Sequence, residues 1–225
     1  MKTRMPLVVV LAVVALCSPW RAMAQPSEWP FRIVTVGGEA EVFRKSAGTW
    51  SAATLRAELQ PGDAARTMGG RLTLRTVSGQ AVRLAPLSRV SLLEAGAPDQ
   101  PTRVTVDGGS VWVAVLPGSP PREQIEARTG AVTVTVRGSG MGITVDRDGT
   151  VIVRVYHGTA ECAGPGTGQQ WSRVLADEQE LSVASGGVPG EVRKVKRDKT
   201  DAAWVKWNEE QDLAGGYGGK PPPAK

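Results

Sequence analysis

This chain of 225 residues has very little of the residue types that build most catalytic and metal sites. It has a single histidine, His157, and only two cysteines, Cys17 and Cys162. His157 is the single candidate base for a nucleophile–base pair, and the nearest nucleophile along the chain is Cys162, five positions on. Along a straight strand this odd separation places the two side chains on opposite faces, and only a turn at Gly158 would bring them together across a corner. A transition-metal site usually takes three or four such ligands. The sequence therefore predicts a protein that is not an enzyme and that has no metal or cofactor site.

Two short segments resemble ligand-binding motifs, but simpler explanations fit them better. Residues 146–149 (Asp-Arg-Asp-Gly) begin like a calcium loop, yet His157 stands where the closing glutamate is needed. A tight hairpin turn explains the Asp-Gly pair. The glycine-rich stretch 137–142 opens no helix, so it lacks the row of free amides that binds phosphate.

Long apolar runs are missing beyond the first residues of the chain. Leu7–Leu16 is apolar, follows a basic start and precedes the small-residue site Ala22-Met23-Ala24. This pattern is typical of a secretory signal peptide, so we expect residues 1–24 to be removed by cleavage after Ala24. We expect a periplasmic or secreted protein. No later run approaches the ~18 apolar residues of a membrane-spanning helix, so none is expected in the mature chain.

Net charge is also low once the leader is set aside. The whole chain has 27 Lys and Arg against 22 Asp and Glu, but the leader holds three of the basic residues and none of the acidic ones. This balance gives no support to nucleic-acid binding, which we do not expect. Cys162 has no cysteine partner within the mature chain, so a packed core must hold the fold. Cys162 is then either a small buried residue or the site of a disulfide to another chain.

What the chain does have is alternation of β-branched and apolar residues, interrupted by glycine turns. Such runs place one set of side chains on a buried face, and they occur at 104–106, 111–115, 132–136 and 151–155. Pro117–Pro121 cannot be interior strand and is expected to form a surface loop. We expect an all-β domain over residues 31–187, built as a compact rolled sheet, a sandwich or a short β-solenoid-like body.

One helix is expected after this β body, over residues 201–213. Thr200 or Asp201 is suited to cap its first turn. Trp204 and Trp207 are three positions apart and therefore fall on one helical face. They either dock the helix on the β body or present an anchor to a partner, since tryptophan is enriched at binding hot spots.

The segments on either side of this helix are expected to be irregular. Residues 188–200 contain a basic run at 193–199 and are predicted to form a solvated linker, with a weak hold on anionic envelope polymers as the other reading. Residues 214–225 are rich in glycine and proline and are predicted to form a disordered tail that includes Tyr217.

Three blocks of this sequence resemble the FecR-domain family and stretches that follow its domain. The first is similar to the family's "GD-x-x-RT … GR-x-x-L … GS-x-VRL-x-P-x-S" and comprises Gly62, Asp63, Arg66, Thr67, Gly70, Arg71, Val82, Arg83 and Leu84. The second resembles "VRGT-x-F-x-V" and comprises Val136, Arg137, Gly138, Ser139 and Met141. The third resembles "D-x-(F/W)-x-x-W-N-x-E-x-D" and spans Asp201–Asp212.

We expect the motif residues to be structural. Gly62 suits a positive φ, and Asp63 a local turn hydrogen bond or a contact with Arg66. Thr67 belongs to the same corner. In the second block, Arg137, Gly138 and Ser139 keep the family's turn, with Ser139 for its threonine and Met141 for its phenylalanine as an apolar plug. The additional glycines, Gly140 and Gly142, indicate a more open corner than usual.

The resemblance implies a binding role. The best-known family members relay the occupancy of an outer-membrane receptor to a sigma factor, through a membrane segment and a cytoplasmic arm that we do not expect here. We therefore expect a protein-interaction or scaffolding module of the cell envelope, with Trp204 and Trp207 as partner contacts. A glycan or peptidoglycan binder with Trp112 or Trp171 as its aromatic platform is the alternative, as is an accessory to a receptor-linked signalling system.

Overall fold

The computed structural model of this chain describes residues 31–93, 100–166, 168–197, 199 and 201–218. The expected signal peptide and the last seven residues of the expected tail lie outside this part of the chain. The strands are β1 (Phe31–Gly37), β2 (Ala40–Arg44), β3 (Thr49–Ala52), β4 (Glu58–Leu59), β5 (Ala64–Thr67), β6 (Arg71–Arg75), β7 (Ala81–Leu84), β8 (Arg89–Leu92), β9 (Thr102–Ala114), β10 (Ile125–Arg128), β11 (Thr133–Val145), β12 (Val151–Gly164), β13 (Trp171–Leu175), β14 (Gln179–Val183) and β15 (Arg193–Lys194). A 3-10 turn, Pro121–Glu123, precedes β10, and one helix, α1 (Ala202–Gly215), follows the strands.

All of these strands belong to one hydrogen-bonded sheet that is not closed. Its longest path runs β15-β14-β12-β11-β10-β9-β7-β6-β1-β4, and a side branch leads from β9 through β8, β5 and β2 to β3. The three long strands, β9, β11 and β12, form its centre. The short strand β10 lies between one half of β9 and one half of β11, parallel to the former and antiparallel to the latter.

The main core brings together side chains from both ends of the sheet. Phe31 and Leu59, near one end, belong to the same buried cluster as Leu181 and Val183, near the other. These side chains are at most 2% exposed although helix α1 packs on the other side of the sheet, so the sheet itself must roll over its apolar face to bury them. The prediction of an all-β body with one C-terminal helix is confirmed, and the rolled sheet is the form it takes.

A second, smaller core lies beneath helix α1, on the opposite side of the sheet from the main core. Its buried members are Ala81, Trp112, Ala114, Tyr156, Val195, Val205 and Tyr217. The sheet is thus covered on this side by one helix that returns from the end of the chain. Within the described residues, no helix is both long enough and apolar enough to cross a membrane.

Two segments differ from the sequence-based boundaries. The expected linker 188–200 contains β15, which pairs with β14, and the amide of Val195 in the same segment donates to the carbonyl of Glu178. Tyr217, expected in a disordered tail, is 2% exposed and its hydroxyl donates to the carbonyl of Gly79. Both differences have the same cause: Val195 and Tyr217 belong to the buried apolar cluster beneath helix α1, so both segments are ordered by packing with the helix.

Candidate functional site

The helix docks on a surface formed by four neighbouring strands, β7, β9, β11 and β12. Arg83 of β7 lies directly across from Trp112 of β9, and Trp112 is in turn across from Gly142 of β11. Trp112 stacks on Tyr156 of β12 with ring centroids 4.7 Å apart and planes 18° apart. The two rings come from strands on either side of β11, so they meet above a position where β11 has no side chain. Gly142 occupies that position, and a Cβ there would make an ordinary contact with the Tyr156 ring at 3.5 Å.

A buried carboxylate from helix α1 enters this surface. Asp212 is fully buried, and its Oδ1 accepts a hydrogen bond from Arg83 Nη1 at 2.5 Å. Its Oδ2 accepts from Trp112 Nε1 at 2.9 Å and lies 2.9 Å from His157 Nε2. Arg83 is itself 3% exposed, so both charges of this pair are withdrawn from water. A buried ion pair is favoured when further hydrogen bonds satisfy its atoms, and the carboxylate of Asp212 has such bonds from Trp112 and His157.

Gly140 allows the carboxylate to come this close. A Cβ at this position would clash with Asp212 Oδ2 and with His157 Nε2. The amide of Gly140 also donates to His157 Nδ1 at 3.2 Å. The sequence indicated an open corner at Gly140 and Gly142, and the structure gives the physical reason: the space is filled by side chains from β9, β12 and α1.

Asn208 is the second buried polar residue of the helix. Its amide nitrogen donates to the carbonyl of Trp204 at 2.9 Å, and its Oδ1 accepts from Arg83 Nη1 at 3.3 Å. Val205, one turn earlier, is buried in the second core. The stripe that docks the helix is therefore formed by Val205, Asn208 and Asp212. We name these residues, together with Arg83, Trp112 and His157, the helix–sheet junction.

His157 acts in this junction through both of its ring nitrogens. Because Nδ1 accepts from the Gly140 amide, Nε2 carries the proton of the neutral ring and donates to Asp212. Cys162 lies in the main core, where burial raises the pKa of its thiol to about 12. The arrangement therefore uses His157 to hold the helix, and it gives the histidine and the cysteine no shared site.

The tryptophans of the helix flank the buried stripe. Trp204 and Trp207 stack on each other with ring centroids 5.5 Å apart, and both are half-buried. Trp204 packs against the second core, whereas the guanidinium of Arg71 lies 5.1 Å from the centre of the Trp207 ring. We name Trp204, Trp207 and Arg71 the tryptophan ledge. The ledge joins the helix to the Gly-Arg motif at the start of β6.

The start of the helix differs from the prediction. Asp201 occupies the cap position but makes no side-chain capping hydrogen bond, and Thr200 lies outside the described residues. The carboxylate of Asp201 instead accepts from Arg154 at 3.3 Å, which ties the first turn to β12. At the helix's other flank, Arg197 bridges Glu209 and Glu178, and the hydrogen bond to Glu209 raises the pKa of Arg197 above its usual value.

The first motif block forms a corner, largely as its residues suggested. Gly62 has a φ of +91°, and the carboxylate of Asp63 accepts from the amides of Lys45 and Gln60 at 2.9 and 3.0 Å. Of the two alternatives expected for Asp63, the local turn hydrogen bond is present, whereas Arg66 pairs with Glu41. Asp63 pairs with Arg44 at 2.9 Å instead, because Arg44 ends the neighbouring strand beside it.

Arg66 and Thr67, at the end of β5, face different environments. The Arg66 side chain pairs with Glu41 and lies 4.1 Å above the ring of Trp50. Thr67 is buried, and its hydroxyl donates to the carbonyl of Ala85 at 2.5 Å. Thr67 thus fixes the corner, whereas Arg66 belongs to a cross-strand surface cluster.

The second motif block is a bulge between β11 and β12. Gly138 has a φ of +63°, a backbone conformation that favours glycine, and the register shifts beside it. Arg137 pairs with Glu161 at 2.9 Å, and the buried Ser139 donates to the carbonyl of Thr159 at 3.0 Å. Met141 is buried in the main core, where an apolar plug was expected.

The two candidate aromatic platforms have different outcomes. Trp112 is fully buried under the helix, so the prediction that it could form a glycan platform is wrong. Trp171 is half-buried at the start of β13 and lines a surface groove of about 490 Å³.

The candidate calcium loop, residues 146–149, is a hairpin turn. In it the carboxylate of Asp148 accepts a hydrogen bond from the Thr150 amide at 2.9 Å, and this bond lowers the pKa of the exposed carboxyl.

Sequence reasoning did not find Arg83, Asn208 and Asp212 as one cluster. Arg83 and Asp212 are 129 positions apart, and no local pattern joins them. A signal was available, since Arg83 interrupts an apolar strand, and Asn208 and Asp212 stand four positions apart on one helical face.

Comparison with known proteins supports the resemblance drawn from these motifs. Residues 63–161 match the family model described as FecR protein. Two crystal structures of a "putative anti-sigma factor" from Parabacteroides distasonis are similar to this chain. The first is 19% identical, with a TM-score of 0.48, and the match covers 62% of this chain and 62% of that one. The second is 18% identical, with a TM-score of 0.48, and the match covers 68% of this chain and 73% of that one. This chain thus spans about three fifths of the length of the first structure. No curated protein matches the sequence.

Proposed function

We propose that this chain, which carries a FecR domain over residues 63–161, is a non-enzymatic protein of the cell envelope that binds another envelope protein through its tryptophan ledge. The family match supports a protein-interaction module. The leader-like start of the sequence supports export to the periplasm or beyond. The ledge is the surface that the geometry of the helix leaves for a partner.

One observation carries this proposal: the fully buried stripe that docks the helix does not include its tryptophans. Val205, Asn208 and Asp212 are buried against the sheet, whereas Trp204 and Trp207 remain half-exposed beside them. Large rings at a protein surface are enriched among residues that dominate binding energy, and arginine shares this enrichment. The stacked pair is already ordered, so binding would cost little side-chain entropy.

Photo-crosslinking in intact cells tests this surface directly. A photoreactive amino acid at Gln211, which is exposed and one turn beyond Trp207, is expected to give one discrete protein adduct. The same residue at Arg147, exposed on the distant β11–β12 hairpin, is expected to give none of that adduct. Adducts of equal pattern from both positions, or no adduct from Gln211, would overturn the proposal.

Binding to the identified partner is then measured with substitutions in the ledge. Trp207→Ala is expected to weaken binding by about thirtyfold, as for a hot-spot residue worth ~2 kcal/mol. Gln211→Arg adds bulk and charge beside the ledge without touching the core and is expected to weaken binding while the melting temperature is unchanged. Lys206→Ala, exposed on another face of the helix, is the matched control. Normal binding by Gln211→Arg would contradict a contact at the ledge.

A further inference from the structure

A surface groove lies where three segments of the sheet meet. The turn 129–133 between β10 and β11, the end of β12 at 163–165 and the start of β13 at 170–172 line a space of about 490 Å³. Pockets that bind small molecules commonly enclose about 300–1,000 Å³. None of its lining residues belongs to the tryptophan ledge or to the helix–sheet junction.

Among the residues that the structure describes, the lining has hydrogen-bonding groups but no ionisable side chain. Threonine, serine and glutamine supply hydroxyl and amide groups, and Trp171 supplies an aromatic wall. The hydroxyl of Thr129 is used within its own turn, where it donates to the carbonyl of Val132. Among the described residues, by contrast, nothing hydrogen-bonds to the side chains of Thr133 and Gln170. Both are therefore available to a ligand.

The indole of Trp171 is held in place by its surroundings. Its Nε1 donates to the carbonyl of Gly187 at 2.7 Å, which fixes the ring orientation. A Cβ at Gly164 would lie 2.8 Å from the ring, and one at Gly166 would lie 3.1 Å from it. Two glycines thus seat the indole, and it packs against the main core. A wall that is rigid before binding loses little entropy when a ligand arrives.

We propose that this groove binds a neutral saccharide, with the indole of Trp171 as the platform and Thr133 and Gln170 as hydrogen-bonding partners. A sugar ring has C–H faces that pack on an aromatic ring and hydroxyl groups that need uncharged donors and acceptors. An anionic ligand would find no cation in this lining to compensate its charge. The absence of ionisable groups is what favours a neutral sugar over an acidic glycan or a phosphate.

Titration by NMR with named oligosaccharides tests the proposal. The probes are chitotetraose and cellotetraose, which are neutral, and tetragalacturonate, which is anionic. At least one neutral probe is expected to shift the indole N–H signal of Trp171, assigned by its loss in Trp171→Phe, with a Kd of about 1 mM or tighter. Tetragalacturonate is expected to bind at least tenfold more weakly. No shift of Trp171 by either neutral probe, or equal binding of the anionic one, overturns the proposal.

Substitutions separate binding in this groove from a loss of folding. Gln170→Ala changes an exposed side chain and is expected to weaken binding of the neutral probe about tenfold, as for one lost hydrogen bond. Gln169→Ala, also exposed but outside the lining, is expected to leave affinity unchanged. Equal affinities of the Gln170→Ala and Gln169→Ala variants would place the sugar elsewhere and overturn the assignment.

Discussion

The ion pair between Arg83 and Asp212 allows one substitution to test whether helix α1 is part of the cooperative fold. Asp212→Ala removes the acceptor of hydrogen bonds from Arg83, Trp112 and His157, and it leaves a guanidinium that is 3% exposed without its acidic partner. Removing one partner of a buried ion pair costs about 3–5 kcal/mol. A typical domain is stable by about 5–15 kcal/mol, so this loss would be a large part of the total.

Urea unfolding of the mature chain, followed by far-UV circular dichroism, measures this loss. With a typical slope of about 2 kcal/mol/M, a loss of about 4 kcal/mol lowers the urea midpoint by about 2 M. Glu210→Ala is the matched control on the same helix, because Glu210 is exposed and only 3.8 Å from an equally exposed Lys206. A surface pair of this kind contributes about 0.5 kcal/mol or less.

Combining substitutions shows whether the cost comes from the unpaired charge. Arg83→Met alone also breaks the pair, but in the double variant with Asp212→Ala no buried charge is left. The double variant is therefore expected to lose clearly less stability than the sum of the two single variants. Equal midpoints for Asp212→Ala and Glu210→Ala would refute the reasoning, since the helix would then leave the sheet without unfolding it.

Three further predictions follow from the glycines and from the buried titratable groups. Gly140→Ala is expected to destabilise the fold about as strongly as Asp212→Ala, because its Cβ would clash with the Asp212 carboxylate. The control Gly142→Ala meets only ordinary contacts, so its free energy of unfolding in the same urea assay should stay within about 1 kcal/mol of the native value. Burial raises the pKa of Cys162 to about 12, so its thiol should react with a thiol reagent at pH 8 only at the rate of unfolding; rapid reaction of the native protein would contradict this. Burial also raises the pKa of Tyr156 from 10.0 to about 12. In the folded protein Tyr156 and Cys162 therefore keep protons that the unfolded chain releases, so the free energy of unfolding should fall as the pH rises from about 9 towards 12. A free energy of unfolding that stays constant over this range would argue against the prediction.

The sequence predicted the features that depend on local pattern. The alternating runs lie, within one residue, in the three long strands β9, β11 and β12. The glycine at position 62 has the expected positive φ, and the helix begins and ends within two residues of the predicted bounds. Each of these is a statement about neighbouring residues, for which side-chain periodicity and turn chemistry are sufficient.

The features that depend on distant residues could not be predicted in this way. Alternation shows that Arg83 points away from the face that carries Val82 and Leu84, but it does not show what covers that outer face. The helix that covers it comes from the other end of the chain, with Asp212 as the matching acid. For the same reason the sequence did not decide whether Trp112 faces solvent, and in the structure it is fully buried under the helix.

The glycines of β11 connect these observations into one account of where partners can bind. Gly140 and Gly142 leave a depression on the outer face of the sheet, which is filled by the Asp212 carboxylate of the helix and by the stacked rings of Trp112 and Tyr156 from the sheet. That face is consequently unavailable to a partner while the fold is intact. The two surfaces proposed for binding lie elsewhere: the tryptophan ledge on the flank of the helix, and the groove at Trp171 on the strands β12 and β13. Because they share no residue, Gln211→Arg and Gln170→Ala should each weaken one interaction and leave the other unchanged. A chain in which either substitution weakened both would have a single site that neither surface describes.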